Sequence, residues 1–67
     1  MIVLNGESCE LAAGEPLVSA LRTLEVDPDA RGVAVAVDGE VVPRGAWGSF
    51  TLAEGARVEV LTAMQGG

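Results

Sequence analysis

Val33-Ala34-Val35-Ala36-Val37-Asp38-Gly39-Glu40-Val41-Val42-Pro43 reads as a β-hairpin with a hard stop. Asp38-Gly39 supplies the positive φ that both central positions of a tight type I′ turn demand. Pro43 ends the returning strand because it has no N–H to donate to a ladder. The same logic applies near the start, where Ile2-Val3-Leu4 runs through Asn5-Gly6 into residues 8–11. Between the two hairpins, Pro16 fits the first turn of a helix, with Leu17, Val18, Leu21 and Leu24 on one face at helical spacing. Arg22, Thr23 and Glu25 face water, and Asp27-Pro28-Asp29 ends the helix because a residue before proline is pushed out of the helical region. Past a turn at Glu54-Gly55, the segment Arg57–Thr62 alternates Val58 and Val60 with charged or mixed residues, the pattern of a strand with one covered face. The order is therefore β, β, α, β, β, β.

A single helix covers one face of a sheet and leaves the other open. Ile2, Leu4, Val35, Val37, Val58 and Val60 are expected to point to the helix, which leaves Val3, Ala34, Ala36 and Leu61 opposite. Apolar residues on an uncovered face fit either a docking surface or the ordinary scatter of surface apolars.

The chain has 67 residues, enough for one domain that buries about 60% of its unfolded surface and too few for a deep catalytic cavity. At 49% hydrophobic it is built to pack a core. Its net charge of −6 repels phosphate backbones, which argues against nucleic acid as a partner and for a basic protein groove. No stretch approaches the roughly 18 consecutive apolar residues of a membrane helix, so a cytoplasmic protein is expected. There is no His and no Tyr. Without imidazole, neither a Ser or Cys nucleophile with a His base nor a His-ligated metal site can be assembled, and no catalytic or metal residue is expected. Cys9, the single cysteine, reads as a small apolar filler, with a sulfur-relay role as the alternative.

The remaining chemistry is at the end, Met64-Gln65-Gly66-Gly67. Two terminal glycines arise by chance in roughly one chain in 200. A glycine α-carboxylate has no Cβ beside it, so its carbonyl carbon is open to attack from nearly every direction, and its backbone takes shapes closed to other residues. Residues 63–67 extend at most about 17 Å at roughly 3.3 to 3.6 Å per residue, enough to thread an enclosed site while residues 1–62 dock outside. A frayed terminus is the other reading.

Two hairpins around a helix, with a last strand running into Gly66-Gly67, resemble the β-grasp, ubiquitin-like superfamily. The element Val42-Pro43-Arg44-x-x-Trp47, followed by Leu52 through Gly67, is similar to the ThiS family, sulfur carriers of thiamine biosynthesis. That element separates the chain from the small sulfur-carrying subunit of molybdopterin synthase. Trp47 itself reads as a lid on the core, while Arg44 either holds a nearby carboxylate or carbonyl or meets a partner. The resemblance implies an α+β fold: a mixed sheet of about five strands, one helix on one face, and a flexible tail over 63–67.

By the same resemblance the chain is a carrier and not an enzyme. An E1-like adenylating enzyme of the ThiF type uses ATP and Mg to convert the Gly67 carboxylate into an acyl-adenylate. A cysteine desulfurase or other persulfide donor then supplies sulfur to give a thiocarboxylate on Gly67, and thiazole synthase of the ThiG type takes that sulfur. Gly66 gives passage, Met64 and Gln65 contact the partners, and no cofactor is bound by the chain itself. Carriers for molybdopterin or tRNA thiolation, or a β-grasp interaction module with an inert tail, are the alternatives. All four basic residues are arginine. Either this keeps an activated C-terminus from being captured by an amine of its own chain, or it reflects a composition rich in Ala, Gly, Val and Arg.

Overall fold

The structure, a computed structural model, describes residues 1–62. Both turn dipeptides do what their chemistry requires. Asn5 and Gly6 hold φ of 49° and 85°, and Asp38 and Gly39 hold 52° and 86°. The first pair joins β1 (Ile2–Leu4) to β2 (Glu7–Cys9), with Leu4 opposite Glu7. The second joins β3 (Val33–Val37) to β4 (Glu40–Val41), with Val37 opposite Glu40. The second strand of the first hairpin starts at Glu7, one residue before the expected start, because a two-residue turn pairs the residues flanking it directly, and it stops at Cys9 short of Leu11.

β5 (Arg57–Thr62) lies in the middle of a five-stranded sheet of order β2-β1-β5-β3-β4. It runs parallel to β1, with Val3 opposite Arg57 and Leu4 opposite Val58, and antiparallel to β3, whose five residues pair with residues 58–62. This is the mixed sheet with one covering helix that a β-grasp fold requires. Ile2, Leu4, Val35, Val37, Val58 and Val60 are all buried, as the alternation predicts.

The turn residues do a second job. Asn5 Oδ1 accepts the N–H of Val60 at 2.8 Å, and Asp38 Oδ1 accepts the N–H of Arg57 at 3.0 Å. Each hairpin turn thus satisfies a backbone donor of β5, Asn5 doing so just past the end of β1. Asn and Asp combine tolerance of positive φ with a short acceptor, which glycine lacks.

The helix α1 (Leu17–Thr23) is shorter than the sequence implies. Its fully buried residues are Leu17, Ala20 and Leu21, the i, i+3, i+4 set, while Val18 and Leu24 sit half-buried at the margins. Ala20 belongs at the centre of the contact, where a small side chain lets the helix approach the sheet but adds little to the apolar pattern of the sequence. Pro16 stands just outside the first turn as the capping residue, in extended conformation.

The helix does not run to Asp27-Pro28. It ends at Thr23, four residues before Asp27, in a Schellman closure: Val26 N–H bonds the Leu21 carbonyl at 2.8 Å and Glu25 N–H bonds that of Arg22 at 2.9 Å. Glu25 holds φ of 59° to make this turn. Left-handed backbone costs a non-glycine residue about 1 to 2 kcal/mol, against about 0.4 to 1 kcal/mol of unfolded-chain entropy that glycine adds. Glu25→Gly is therefore expected to stabilise the protein by about 0.5 to 1 kcal/mol; urea unfolding checks this, and a lowered midpoint would contradict it.

Residues 48–56, which carry no periodic signal, contribute Leu52 and Ala56 to the core. Phe50 and Leu52 also tie down the start of the helix. Leu17 N–H bonds the Phe50 carbonyl at 2.8 Å, and Leu52 N–H bonds that of Glu15 at 2.9 Å. The first of these satisfies a helix donor that no side chain caps.

Candidate functional site

The face of the sheet away from α1 carries Val3 on β1, Ala34 and Ala36 on β3, and Leu61 on β5. All four expected residues lie there, Val3 and Ala36 half-buried, Ala34 and Leu61 exposed. The register brings Ala34 directly opposite Leu61. Sequence reasoning missed Val41. It faces Ala36 across the β3–β4 ladder and is 77% exposed, more than the 70% of Leu61. The signal was available: with Asp38-Gly39 as a two-residue turn, Val37 must pair Glu40 and Ala36 must pair Val41, which puts Val41 on the face of Ala36. Arg57 and Glu59 share this face as well, so it mixes apolar surface with one charge of each sign.

A shallow concavity of about 760 Å³ lies between the two hairpin turns, lined by Val3, Gly6, Asp38, Gly39, Arg57, Val58 and Glu59. It covers the first half of β5, at the opposite end of the strand from Thr62, which pairs with Val33. Met64, Gln65, Gly66 and Gly67 lie outside the described residues.

The Val42-Pro43-Arg44-x-x-Trp47 element turns out to be a structural clip. Pro43 leads into a 3₁₀ turn, Arg44–Ala46, and buried Trp47 returns its indole Nε1–H to the Val42 carbonyl at 2.8 Å. Arg44 stacks on the Trp47 ring, its guanidinium carbon 4.6 Å from the ring centre. The same guanidinium donates to the carbonyls of Pro28 and Ala30. Of the two roles open to Arg44, the structure selects the carbonyl-holding one. A planar fork suits this task, since it reaches two acceptors at once while keeping a flat face for the indole.

Among the described residues there is no buried polar or charged side chain, and no group of His, Cys, Asp and Glu side chains that could hold a metal ion. Cys9 is half-buried at the end of β2. No helix among these residues is long and apolar enough to cross a membrane. What the described residues offer is a scaffold: an open sheet face and a central strand, β5, that runs to Thr62.

Three comparisons bear on what such a scaffold presents. Among curated proteins, none matches. Among solved structures, the chain is similar to the crystal structure of the thiamine biosynthesis protein ThiS from Geobacter metallireducens. They share 32% identity at a TM-score of 0.73, over 98% of this chain and 97% of the other. It is also similar to the solution structure of a thiamine biosynthesis protein from Geobacter metallireducens, at 32% identity and a TM-score of 0.76, over 98% and 86% of the respective chains. The model of the ThiS family matches residues 2–67, from the first strand through Gly66-Gly67. With the β-grasp order of strands and the Arg44–Trp47 clip already in place, that match makes the chain a member of the ThiS family of small sulfur carriers.

Proposed function

We infer that this chain carries sulfur for thiamine biosynthesis as a thiocarboxylate on Gly67. The observation that carries the reading is the family match reaching through Gly67, on a body whose described residues offer no catalytic constellation of their own. A free α-carboxylate titrates near about 3.5 and is a resonance-stabilised anion at neutral pH, so no thiol attacks it. Adenylation removes that obstacle. The carboxylate oxygen attacks the α-phosphorus of ATP in the partner enzyme, with Mg there, and pyrophosphate leaves. The terminal sulfur of a donor persulfide then attacks the acyl carbon and AMP departs. A thiol cleaves the resulting acyl disulfide, is itself taken into a disulfide, and leaves the thiocarboxylate on Gly67.

Thiazole synthase is the proposed acceptor, and the open face around Val3, Ala34, Ala36, Val41 and Leu61 is the proposed seat for the partners. Leu61 stands next to Thr62, so a partner resting on this face would lie beside the segment it must thread. Gly66 lets two enzymes impose different backbone shapes on the same peptide, while Met64 and Gln65 supply an adaptable apolar contact and hydrogen bonds.

The test is to incubate the chain with a ThiF-type adenylating enzyme, ATP-Mg and a persulfide donor. The mass is expected to rise by the difference between sulfur and oxygen, with fragmentation placing the change at Gly67. An unchanged mass under conditions that convert a known family member counts against the proposal. Transfer of the sulfur to thiazole synthase, rather than to a molybdopterin or tRNA acceptor, identifies the pathway.

A further inference from the structure

The chain has a single asparagine, Asn5, and glycine follows it. An Asn-Gly pair is open to cyclisation, because a residue without a Cβ leaves its own nitrogen free to approach the neighbouring side-chain amide carbon. In the folded chain both reacting groups have defined surroundings. Gly6 is exposed, and among the described residues its N–H donates to no group. Asn5 is tied twice to β5: its main-chain N–H bonds the Val58 carbonyl at 2.9 Å, and its Oδ1 accepts the Val60 N–H at 2.8 Å. The side chain thus fills the place in the parallel ladder that a main-chain carbonyl ordinarily takes.

We propose that Asn5 is a site of spontaneous deamidation, gated by opening of the first hairpin turn, and that its isoaspartate product cuts the side-chain tie to β5. The chemistry needs only water. The Gly6 nitrogen gives its proton to hydroxide and attacks Asn5 Cγ. The bond from Cγ to Nδ2 breaks, and ammonia leaves with the electron pair and a proton from water. The five-membered succinimide then takes up water. Opening between the Gly6 nitrogen and Cγ gives aspartate, whereas opening between that nitrogen and the former main-chain carbonyl carbon gives isoaspartate, whose backbone runs through Cβ and Cγ. Either product has exchanged an NH for an oxygen.

Geometry holds the first step back. A type I′ turn keeps ψ of its first central residue near about 30°, which directs the Gly6 nitrogen away from Asn5 Cβ, while a five-membered ring needs the two eclipsed. Rotating that bond requires Asn5 to release both Val58 and Val60. At their ordinary net worth, two such hydrogen bonds make the open form about tenfold rarer or more.

The second hairpin shows what each product does. Asp38, at the matching place with φ of 52°, holds the Arg57 N–H through Oδ1 at 3.0 Å. Aspartate at position 5 therefore keeps an acceptor for Val60. Isoaspartate does not, because Cγ is now main chain, the turn is one atom longer, and the Val60 N–H loses its oxygen. Glu59 and Leu61 of the open face flank Val60, so the change reaches the proposed seat of the partners.

The experiment ages the full chain, the urea-unfolded chain and a synthetic peptide of residues 1–10 in mildly alkaline buffer. Mass spectrometry with electron-transfer fragmentation follows the exchange at Asn5 and separates the two isomers. The peptide and the unfolded chain are expected to convert together, and the folded chain about tenfold or more slowly. The isoaspartate form, refolded and isolated by ion exchange, is expected to exchange its Val60 amide hydrogen about tenfold or more faster than the unmodified chain, while Asn5→Asp keeps that amide slow. A folded chain that converts within about twofold of the peptide overturns the gating. A peptide and an unfolded chain that both stay intact overturn the site itself. Unchanged Val60 exchange in the isoaspartate form, or its loss of protection in Asn5→Asp, overturns the assignment of the tie to the side-chain oxygen.

Discussion

Trp47→Ala is expected to remove most of the stability of this domain. The indole is buried, bonds the Val42 carbonyl through Nε1–H, and carries Arg44 on its face. Truncating a buried aromatic side chain costs about 3 to 5 kcal/mol. At about 0.05 to 0.15 kcal/mol per residue, a chain of this size has only about 3 to 10 kcal/mol to lose. The cost extends beyond the cavity, because Arg44 loses its aromatic platform while still spanning to Pro28 and Ala30. Since 1 kcal/mol moves the midpoint of a 60–100-residue domain by about 4 to 8 °C, thermal unfolding followed by circular dichroism should shift down by at least about 12 °C. Trp47→Phe, which keeps a ring but removes the donor, should fall between the two. A Trp47→Ala protein within about 1 kcal/mol of the unsubstituted one would contradict the clip.

Deleting Gly67 is expected to lower thiocarboxylate formation by a hundredfold or more while leaving the fold intact. The shortened chain still ends in a glycine carboxylate, now that of Gly66, so its intrinsic chemistry is unchanged. What changes is reach, by one residue or about 3.4 Å, when a misplacement of about 1 Å at a reacting centre already costs about a hundredfold. The thermal midpoint serves as the control and should stay put. Single-turnover adenylation, read as pyrophosphate release, separates positioning from later sulfur transfer. A truncated chain activated at the full rate would show that the partner accepts the carboxylate wherever it falls, and that the length of the final segment carries no information.

The elements were legible wherever neighbouring residues decide the backbone. Asn5-Gly6 and Asp38-Gly39 announce their hairpins because positive φ is a local property, and the buried faces of β1, β3 and β5 follow from alternation. The helix end was misplaced because Asp27-Pro28 is a visible stop signal, whereas a left-handed Glu25 has no glycine to reveal it. Of residues 48–56 only the turn at Glu54-Gly55 was legible, since Leu52 and Ala56 are buried by the packing of segments remote in sequence and not by any period of their own. The place of Val41 follows from the two-residue turn, which pairs it with Ala36.

The sequence by itself determined the two hairpins, the single helix, the apolar faces and, through its resemblance and its final glycines, the family and the atom proposed to carry sulfur. Only the tertiary structure decided that β5 lies between β1 and β3, that Asn5 and Asp38 satisfy its backbone, and that Arg44 holds the carbonyls of Pro28 and Ala30. The physical reason is range. Turn geometry and side-chain alternation act between residues a few positions apart, whereas these contacts join residues 14 to 55 positions apart, and they exist only once the core has brought the strands together.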